Sequence, residues 1–190
     1  MLVLSVNGSP RRHGNTCQML DRVCRILAKA GAHIDELHLE ERELSPCGAC
    51  MLCAEKQDGK CHGRVDDGNE IIARSQAADV ILLGSPVYFG SLTPLIKAYM
   101  DRVGFVGRVN GNFLARKIGA AVVPARRAGK LFTFAELNMW FLINGMIVPG
   151  SSYWTVGQGR EEGEIQQDAE ALQTLDLLAD NIKWLATKLV

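Results

Sequence analysis

Short apolar runs that each end in glycine, serine or proline constrain this chain more than any other feature. Leu2–Val6 is followed by an Asn-Gly-Ser-Pro turn, and Val80–Leu83 is followed by Gly-Ser-Pro. Ile118–Val123 is a third run of the same kind, closed by Pro124. Uninterrupted apolar runs of this length predict strands that are buried on both faces, as in a parallel sheet.

Segments with helical spacing of apolar residues separate these runs. Two further strands are predicted over residues 34–39 and 146–148. Helices are predicted over residues 19–30, 68–77, 93–103, 131–143 and 172–189. Strands that alternate with helices predict an α/β fold with a covered parallel sheet. Because ligands of such sheets bind at the carboxyl ends of strands, the loops after Val6, Leu83 and Val123 are the candidate site.

Length and charge narrow the function classes. The chain has 190 residues, which predicts a single domain over residues 1–190. Its 21 basic and 21 acidic residues cancel, which argues against a nucleic-acid binder or a polybasic membrane-surface protein. No apolar stretch reaches the roughly 20 residues of a membrane span, and the N-terminal sequence lacks the basic leader of a signal peptide. We therefore expect a cytoplasmic protein with reduced cysteines.

The first loop has the composition of an anion site. It joins a strand to a helix, so backbone N–H groups and the positive end of the helix dipole point into it. It lacks both the dinucleotide fingerprint and the Walker Gly-Lys-Ser/Thr sequence. Neutral donors and one nearby arginine suit the phosphate of a mononucleotide. The candidate residues are Ser9, Arg11, Gly14, Asn15 and Thr16. Simple turn formation and helix capping are the alternative explanation.

The second loop places two aromatic residues between a proline and a glycine. Its candidate residues are Pro86, Val87, Tyr88, Phe89 and Gly90. An exposed aromatic side chain is explained by a flat ligand that stacks on it. Packing beneath the next helix is the alternative, particularly for Phe89.

The third loop is basic. Its candidate residues are Pro124, Arg126, Arg127 and Gly129. Arginine at a strand end can donate hydrogen bonds to carbonyl oxygens and stabilise an anionic ring. A solvated basic loop is the alternative.

A cysteine-rich segment, residues 45–67, interrupts the alternation of strands and helices. It contains Cys47, Cys50, Cys53 and Cys61. Three cysteines at two-residue gaps are the pattern with which ferredoxins hold three corners of a 4Fe–4S cluster, whereas structural zinc sites more often use two separated pairs. A cluster, a zinc ion and a metal-free loop therefore remain open for these four candidate ligands. Cys17 and Cys24 are interpreted as small buried hydrophobic residues.

Taken together, the three loops resemble the NAD(P)H-dependent FMN reductases of flavodoxin-like fold. The resemblance rests on Asn7-Gly-Ser-Pro-Arg with Gly14-Asn-Thr, on Gly84-Ser-Pro-Val-Tyr-Phe-Gly and on Lys97-Ala-Tyr-Met-Asp-Arg. It implies a flavodoxin-like three-layer sandwich with a five-stranded parallel sheet in the order 2-1-3-4-5 and a cysteine-rich insertion. It also implies that the first loop holds the FMN phosphate, the second follows the ribityl chain and ring, and the third contacts the isoalloxazine.

The cysteine spacing resembles the iron–sulfur flavoprotein subgroup of that family, although the gap before Cys61 is longer than in the subgroup. The resemblance implies an oxidoreductase that carries FMN and a 4Fe–4S cluster and couples two-electron to one-electron chemistry. NAD(P)H or a ferredoxin would be the electron donor, and the chain would form a homodimer or homotetramer. No catalytic acid–base residue is predicted. A cluster-free NAD(P)H-dependent FMN or quinone reductase and a zinc-containing flavodoxin-like binding module are the alternatives.

Overall fold

The computed structural model describes residues 1–189 and contains a five-stranded parallel sheet. Its strands are β1 (Leu2–Asn7), β2 (His33–His38), β3 (Val80–Gly84), β4 (Ile118–Ala125) and β5 (Val156–Gln158). Their spatial order is β2-β1-β3-β4-β5, and every neighbouring pair is parallel. The predicted flavodoxin-like strand order is therefore confirmed.

Six helices cover the sheet and its edges. They are α1 (Asn15–Lys29), α2 (Leu52–Lys56), α3 (Gly68–Ala77), α4 (Pro94–Val109), α5 (Lys130–Ile143) and α6 (Ala169–Leu189). Helices α1 and α6 share one hydrophobic layer with the sheet. Helices α3, α4 and α5 share the other, so the molecule has three layers. Within residues 1–189 no helix is long and apolar enough to cross a membrane.

The central strand β3 shows why the sequence folds this way. Val80 and Leu82 pack in the layer of α1 and α6, whereas Ile81 and Leu83 pack in the layer of α3 and α4. Since side chains alternate along a strand, an uninterrupted apolar run fills both layers. Along β3 no polar side chain interrupts the run, and the first one, Ser85, follows its end, where the loops meet.

The predicted fifth strand was misplaced. Residues 146–148 form no strand of their own, and Ile147 makes only an isolated bridge to Ile118. Met146 is buried in the core and its N–H donates to the carbonyl of Phe141, so this apolar run follows from the end of α5. The true strand β5 begins ten residues later and is short, and its carboxyl end adds a fourth loop to the site.

The cysteine-rich segment begins just after β2 and ends at the start of α3. Glu43 and Asp67 clasp its two ends, because the backbone N–H of each donates to an oxygen of the other, at 2.9 Å in both cases. The segment contains the short helix α2, which the aperiodic sequence did not predict. A long insertion is thus held at its base while its interior folds on itself.

Candidate functional site

The predicted loops meet at the carboxyl edge of the sheet around one cavity of about 300 Å³, the strand-end cavity. Its lining comes from the ends of β1, β3, β4 and β5. The lining residues are Ser9, Arg11, Gly14, Asn15, Thr16, Pro86, Val87, Tyr88, Pro124, Ala125, Arg126, Gly159 and Arg160. Ten of them are residues that the sequence singled out.

The first loop presents the open N-terminus of α1 to this cavity. Gly14 precedes the helix without a side-chain cap, and no acidic residue lies in the first turn. Ser9 shapes the loop, since its N–H donates to Asn7 at 2.9 Å and its hydroxyl accepts from the N–H of Arg11 at 3.1 Å. The first backbone N–H groups of the helix are therefore available to an anion, which the helix dipole also favours.

Asn15 lines the cavity but uses its side chain elsewhere. Its amide nitrogen donates to the carbonyl of Glu161 at 2.9 Å, and its amide oxygen accepts from the N–H of Gly163 at 3.1 Å. The side chain thus ties the start of α1 to the segment after β5. The side-chain atoms of Asn15 are thus engaged within the protein, and its role as an amide donor to a phosphate stays a prediction.

The second loop is a tight turn with an exposed tip. Tyr88 and Ser91 pair through both backbone N–H groups, at 2.8 and 3.1 Å. The two residues between them, Phe89 and Gly90, have φ angles of 50° and 86°, as two-residue hairpins require. Tyr88 lines the strand-end cavity, whereas Phe89 and Gly90 at the tip of the turn do not. The Phe89 side chain is fully exposed.

The third loop packs against the second. Gly129 has a φ angle of 89°, and a Cβ there would lie 2.7 Å from the Cγ1 of Val87 and 3.3 Å from the backbone of Gly90. Glycine is therefore required for the two loops to touch, although Gly129 does not line the cavity. Arg126 lines it, and its neighbour Arg127 does not.

Sequence reasoning missed the wall formed by Ala125, Gly159 and Arg160. The N–H of Gly159 donates to the carbonyl of Ala125 at 3.0 Å, which joins the third loop to the segment after β5. The strand-end rule would have found Gly159 and Arg160 if β5 had been placed correctly. Strand β5 has only three residues, which include a glycine and a glutamine, so the hydropathy pattern does not predict a strand there.

The four clustered cysteines line a second, much smaller cavity, the thiol cavity, of about 20 Å³. Cys53 and Cys61 are buried, whereas Cys47 and Cys50 lie on the exposed side. Asn69 fixes Cys61 from α3, because its amide accepts from the Cys61 N–H at 2.7 Å and donates to the Cys61 carbonyl at 3.0 Å. The structure therefore brings the predicted ligands together around a space for about one water molecule.

A buried ion pair stands beside the thiol cavity. Arg102 of α4, which also lines it, donates to both carboxylate oxygens of Asp66 at 2.9 and 3.0 Å and to the Ser45 carbonyl at 2.9 Å. Burial alone would raise the pKa of Asp66. The hydrogen bonds from Arg102, Ser45 and Gly68 outweigh it and hold that pKa at about 2. The carboxylate is therefore ionised at neutral pH and holds the ends of the cysteine-rich segment on α4.

The four thiols on one cavity are the donor type of a metal–thiolate site. In residues 1–189 no group of three or more His, Cys, Asp or Glu side chains is arranged to hold one metal ion. A tetrahedral zinc ion needs all its sulfur ligands about 2.3 Å from one point. A four-iron cluster instead takes one thiolate per iron and needs them further apart. The Nε of Arg102 is buried without a hydrogen-bond partner in the described part of the chain, which suits an anionic group here.

The remaining two cysteines are unsuited to either site. Cys17 and Cys24 are buried on α1, on the opposite face of the sheet from the thiol cavity. Burial is the largest cause that raises the pKa of Cys17 to about 12 and that of Cys24 to about 11. Both therefore remain protonated, as the interpretation of them as small hydrophobic residues requires.

Comparison with known proteins identifies a matching family and similar proteins. Residues 1–161 match the family model of NADPH-dependent FMN reductases. An iron–sulfur flavoprotein of Methanocaldococcus jannaschii is 35% identical over 186 residues, covering 92% of this chain and 91% of the relative. The iron–sulfur flavoprotein of Methanosarcina thermophila is 31% identical over 154 residues, covering 80% of this chain and 78% of the relative.

Solved structures support the fold. RosB with bound 8-demethyl-8-formylriboflavin-5′-phosphate superposes with a TM-score of 0.80 at 16% identity, covering all of this chain and 80% of the other. The flavodoxin-like WrbA-like protein of Agrobacterium tumefaciens superposes with a TM-score of 0.66 at 17% identity, covering 100% and 98%. Identities this low carry the architecture alone.

Proposed function

The chain belongs to the NADPH-dependent FMN reductase family, a family of FMN-binding, flavodoxin-like oxidoreductases, and from that premise we propose that it is an electron-transfer iron–sulfur flavoprotein. It holds FMN in the strand-end cavity and a 4Fe–4S cluster on Cys47, Cys50, Cys53 and Cys61. FMN, when bound, exchanges electrons in pairs or singly, whereas the cluster exchanges them singly. The pair would couple a two-electron donor to a one-electron acceptor.

The chain's own groups would place and orient the flavin. The open N-terminus of α1, with Ser9 and Thr16 beside it, binds the phosphate. Tyr88 and Val87 provide a flat apolar wall for the ring. Arg126 supplies positive charge at the opposite wall, where it stabilises an anionic ring edge. Four further predicted residues do not line the cavity, so we expect them to shape the surrounding loops, and their contact with the flavin stays a prediction: Phe89, Gly90, Arg127 and Gly129.

The observation that carries the cluster proposal is the convergence of four cysteines on one cavity beside an unpaired arginine N–H. The cavity is too small for a cluster as it stands. Cys47 and Cys50 lie on its exposed side, so a bound cluster would require that side to shift outward.

Anaerobic purification tests the proposal directly. We expect about one flavin, four irons and four acid-labile sulfides per chain. A bound flavin without iron would overturn the cluster and leave the cluster-free NAD(P)H-dependent FMN or quinone reductase. Zinc without flavin would leave the binding module. A chain that takes up no flavin at all would overturn the whole proposal.

A homodimer or homotetramer is supported by the outer face of α5. Five large apolar side chains of this helix are exposed: Leu131, Phe132, Met139, Leu142 and Ile143. A monomer rarely exposes a contiguous apolar patch of this kind. Trp140 of the same helix lies on its core side instead, since it is buried and its indole N–H donates to the Met100 carbonyl at 2.8 Å. Light scattering at micromolar concentration that gives a monomer mass would contradict the assembly.

NAD(P)H and a ferredoxin are the two electron donors that fit this proposal, in a cytoplasmic protein. All six cysteines are free thiols in the described chain, which suits a reducing compartment. Anaerobic stopped-flow mixing with NADH, NADPH and reduced ferredoxin distinguishes the donors, because the physiological one bleaches the flavin fastest.

A further inference from the structure

Arg102 uses only part of its guanidinium in the buried ion pair with Asp66. The side chain is 1% exposed, and its two terminal nitrogens are bound to Asp66 and Ser45. The remaining donor, Nε–H, is buried and has no nitrogen or oxygen acceptor within residues 1–189, and the Cys61 thiol lies beside the guanidinium. A buried charged donor without an acceptor is costly, so such groups are rare unless a ligand completes them.

The position of this donor indicates what completes it. Arg102 lines the thiol cavity together with all four cysteines. Cys61, which is itself buried, is the cysteine that interacts electrostatically with Arg102. The group placed to accept from this donor is therefore the Cys61 sulfur, which lines the same cavity. Hydrogen bonds to sulfur and nearby charge are the main determinants of the reduction potential of an iron–sulfur cluster.

Building on the proposed cluster, we propose that Arg102 and Asp66 form an electrostatic pair that sets its reduction potential. Arg102 is a positioning residue whose Nε–H donates to the Cys61 sulfur and favours the more negative, reduced state. Asp66 holds the guanidinium in place and offsets part of its charge. The two members of one ion pair thus act on the potential in opposite directions.

This opposition separates a tuning role from a structural one. Breaking a buried ion pair destabilises a protein whichever partner is removed. A purely structural pair would therefore make Arg102→Gln and Asp66→Asn alike in every measurement. A pair that acts on the cluster makes them alike in stability and opposite in potential.

The test is an EPR-monitored redox titration of anaerobically purified, iron-loaded protein. At a fixed potential, Arg102→Gln is expected to lower the ratio of reduced to oxidised cluster about tenfold, which is about 59 mV for a one-electron couple. Asp66→Asn is expected to raise that ratio by a similar factor. Arg102→Lys keeps the charge and is expected to lie between the wild type and Arg102→Gln. If Arg102→Gln fails to fold, Arg102→Lys and Asp66→Asn still give shifts of opposite sign.

The matched control is Arg22→Gln. Arg22 donates to both carboxylate oxygens of Asp176 at 2.6 and 2.7 Å, on the opposite face of the sheet. This variant should lower stability and leave the potential unchanged. Loaded variants whose potentials do not move, or move in the same direction, would overturn the inference alone. A wild type without iron would overturn the proposed cluster and the inference with it.

Discussion

The strand-end cavity is open at about 300 Å³, whereas the thiol cavity encloses about 20 Å³. The first lies where four strands end, so the sheet itself holds its walls apart. The second lies within one insertion, whose ends are clasped to α4 and whose interior closes on itself. The difference shows that the sheet sets the walls of the strand-end cavity, whereas contacts within one segment and with α4 set those of the thiol cavity.

The largest effect is expected from removing one thiol, which should change the iron content without changing the flavin content. Cys53→Ser removes a buried ligand and should lower bound iron and sulfide more than about tenfold, because a cluster needs four thiolates. Flavin content should stay near the wild-type value, since Cys53 does not line the strand-end cavity. Iron, sulfide and flavin assays measure both. Cys17→Ser is the control and should keep its iron. Loss of flavin together with iron in Cys53→Ser would show that the two regions form as one.

The next effect concerns the phosphate end of the strand-end cavity. Thr16→Asp places a negative charge in the first turn of α1 and should weaken FMN binding about 100-fold by like-charge repulsion. An acid there complements the helix dipole, but Thr16 is buried, so circular dichroism of the variant is measured first to check that it folds. Riboflavin, which lacks the phosphate, is the internal control. Fluorescence titration with both flavins measures the two affinities, and equal losses would place the phosphate elsewhere.

Low pH should weaken the ion pair between Arg102 and Asp66 and so lower the free energy of unfolding. The pKa of Asp66 is about 2 in the folded chain against an ordinary value of 3.8. A depressed pKa contributes stability above the ordinary value that is lost as the pH falls toward 2, here about 2 kcal/mol. Urea unfolding at several values between about pH 6 and pH 3 measures it. The stability difference between the wild type and Asp66→Asn should narrow as the pH falls, and a constant difference would contradict this assignment.

The smallest effect compares two neighbouring arginines. Arg126→Ala should weaken FMN binding about tenfold or shift the flavin potential, because Arg126 lines the cavity. Arg127→Ala removes an equally exposed charge that does not line it, and should change neither. Fluorescence titration and a flavin redox titration of both variants give the comparison. Equal changes in FMN affinity and flavin potential in the two variants would mean that the loop acts only through its overall positive charge.

The same contrast explains what the sequence could predict. The apolar runs that became β1, β3 and β4 were found because a covered strand has a distinctive pattern, and the loops after them follow from topology. The edge strand β5 was missed because three residues with one glycine carry no such pattern. Because Gly159 and Arg160 follow β5, they could not be predicted as site residues either, although ligands bind at the carboxyl ends of such strands.

Other features depend on contacts that no local pattern encodes. The side chain of Asn15 binds residues almost 150 positions away, so its role could not follow from the first loop alone. Arg102 was noticed only as part of a family motif, because its partner Asp66 lies in an aperiodic segment. The four cysteines, by contrast, were found from spacing, since a short loop brings together ligands that are close in sequence.

The tie between Asn15 and residues 161–163 sets an order of events during synthesis. A nascent chain that has released only β1, β3 and β4 from the ribosome already carries the first loop, but it lacks the residues that hold the Asn15 side chain and the wall formed by Gly159 and Arg160. We therefore expect a chain truncated before β5 to have an incomplete strand-end cavity and to take up less flavin than the whole chain.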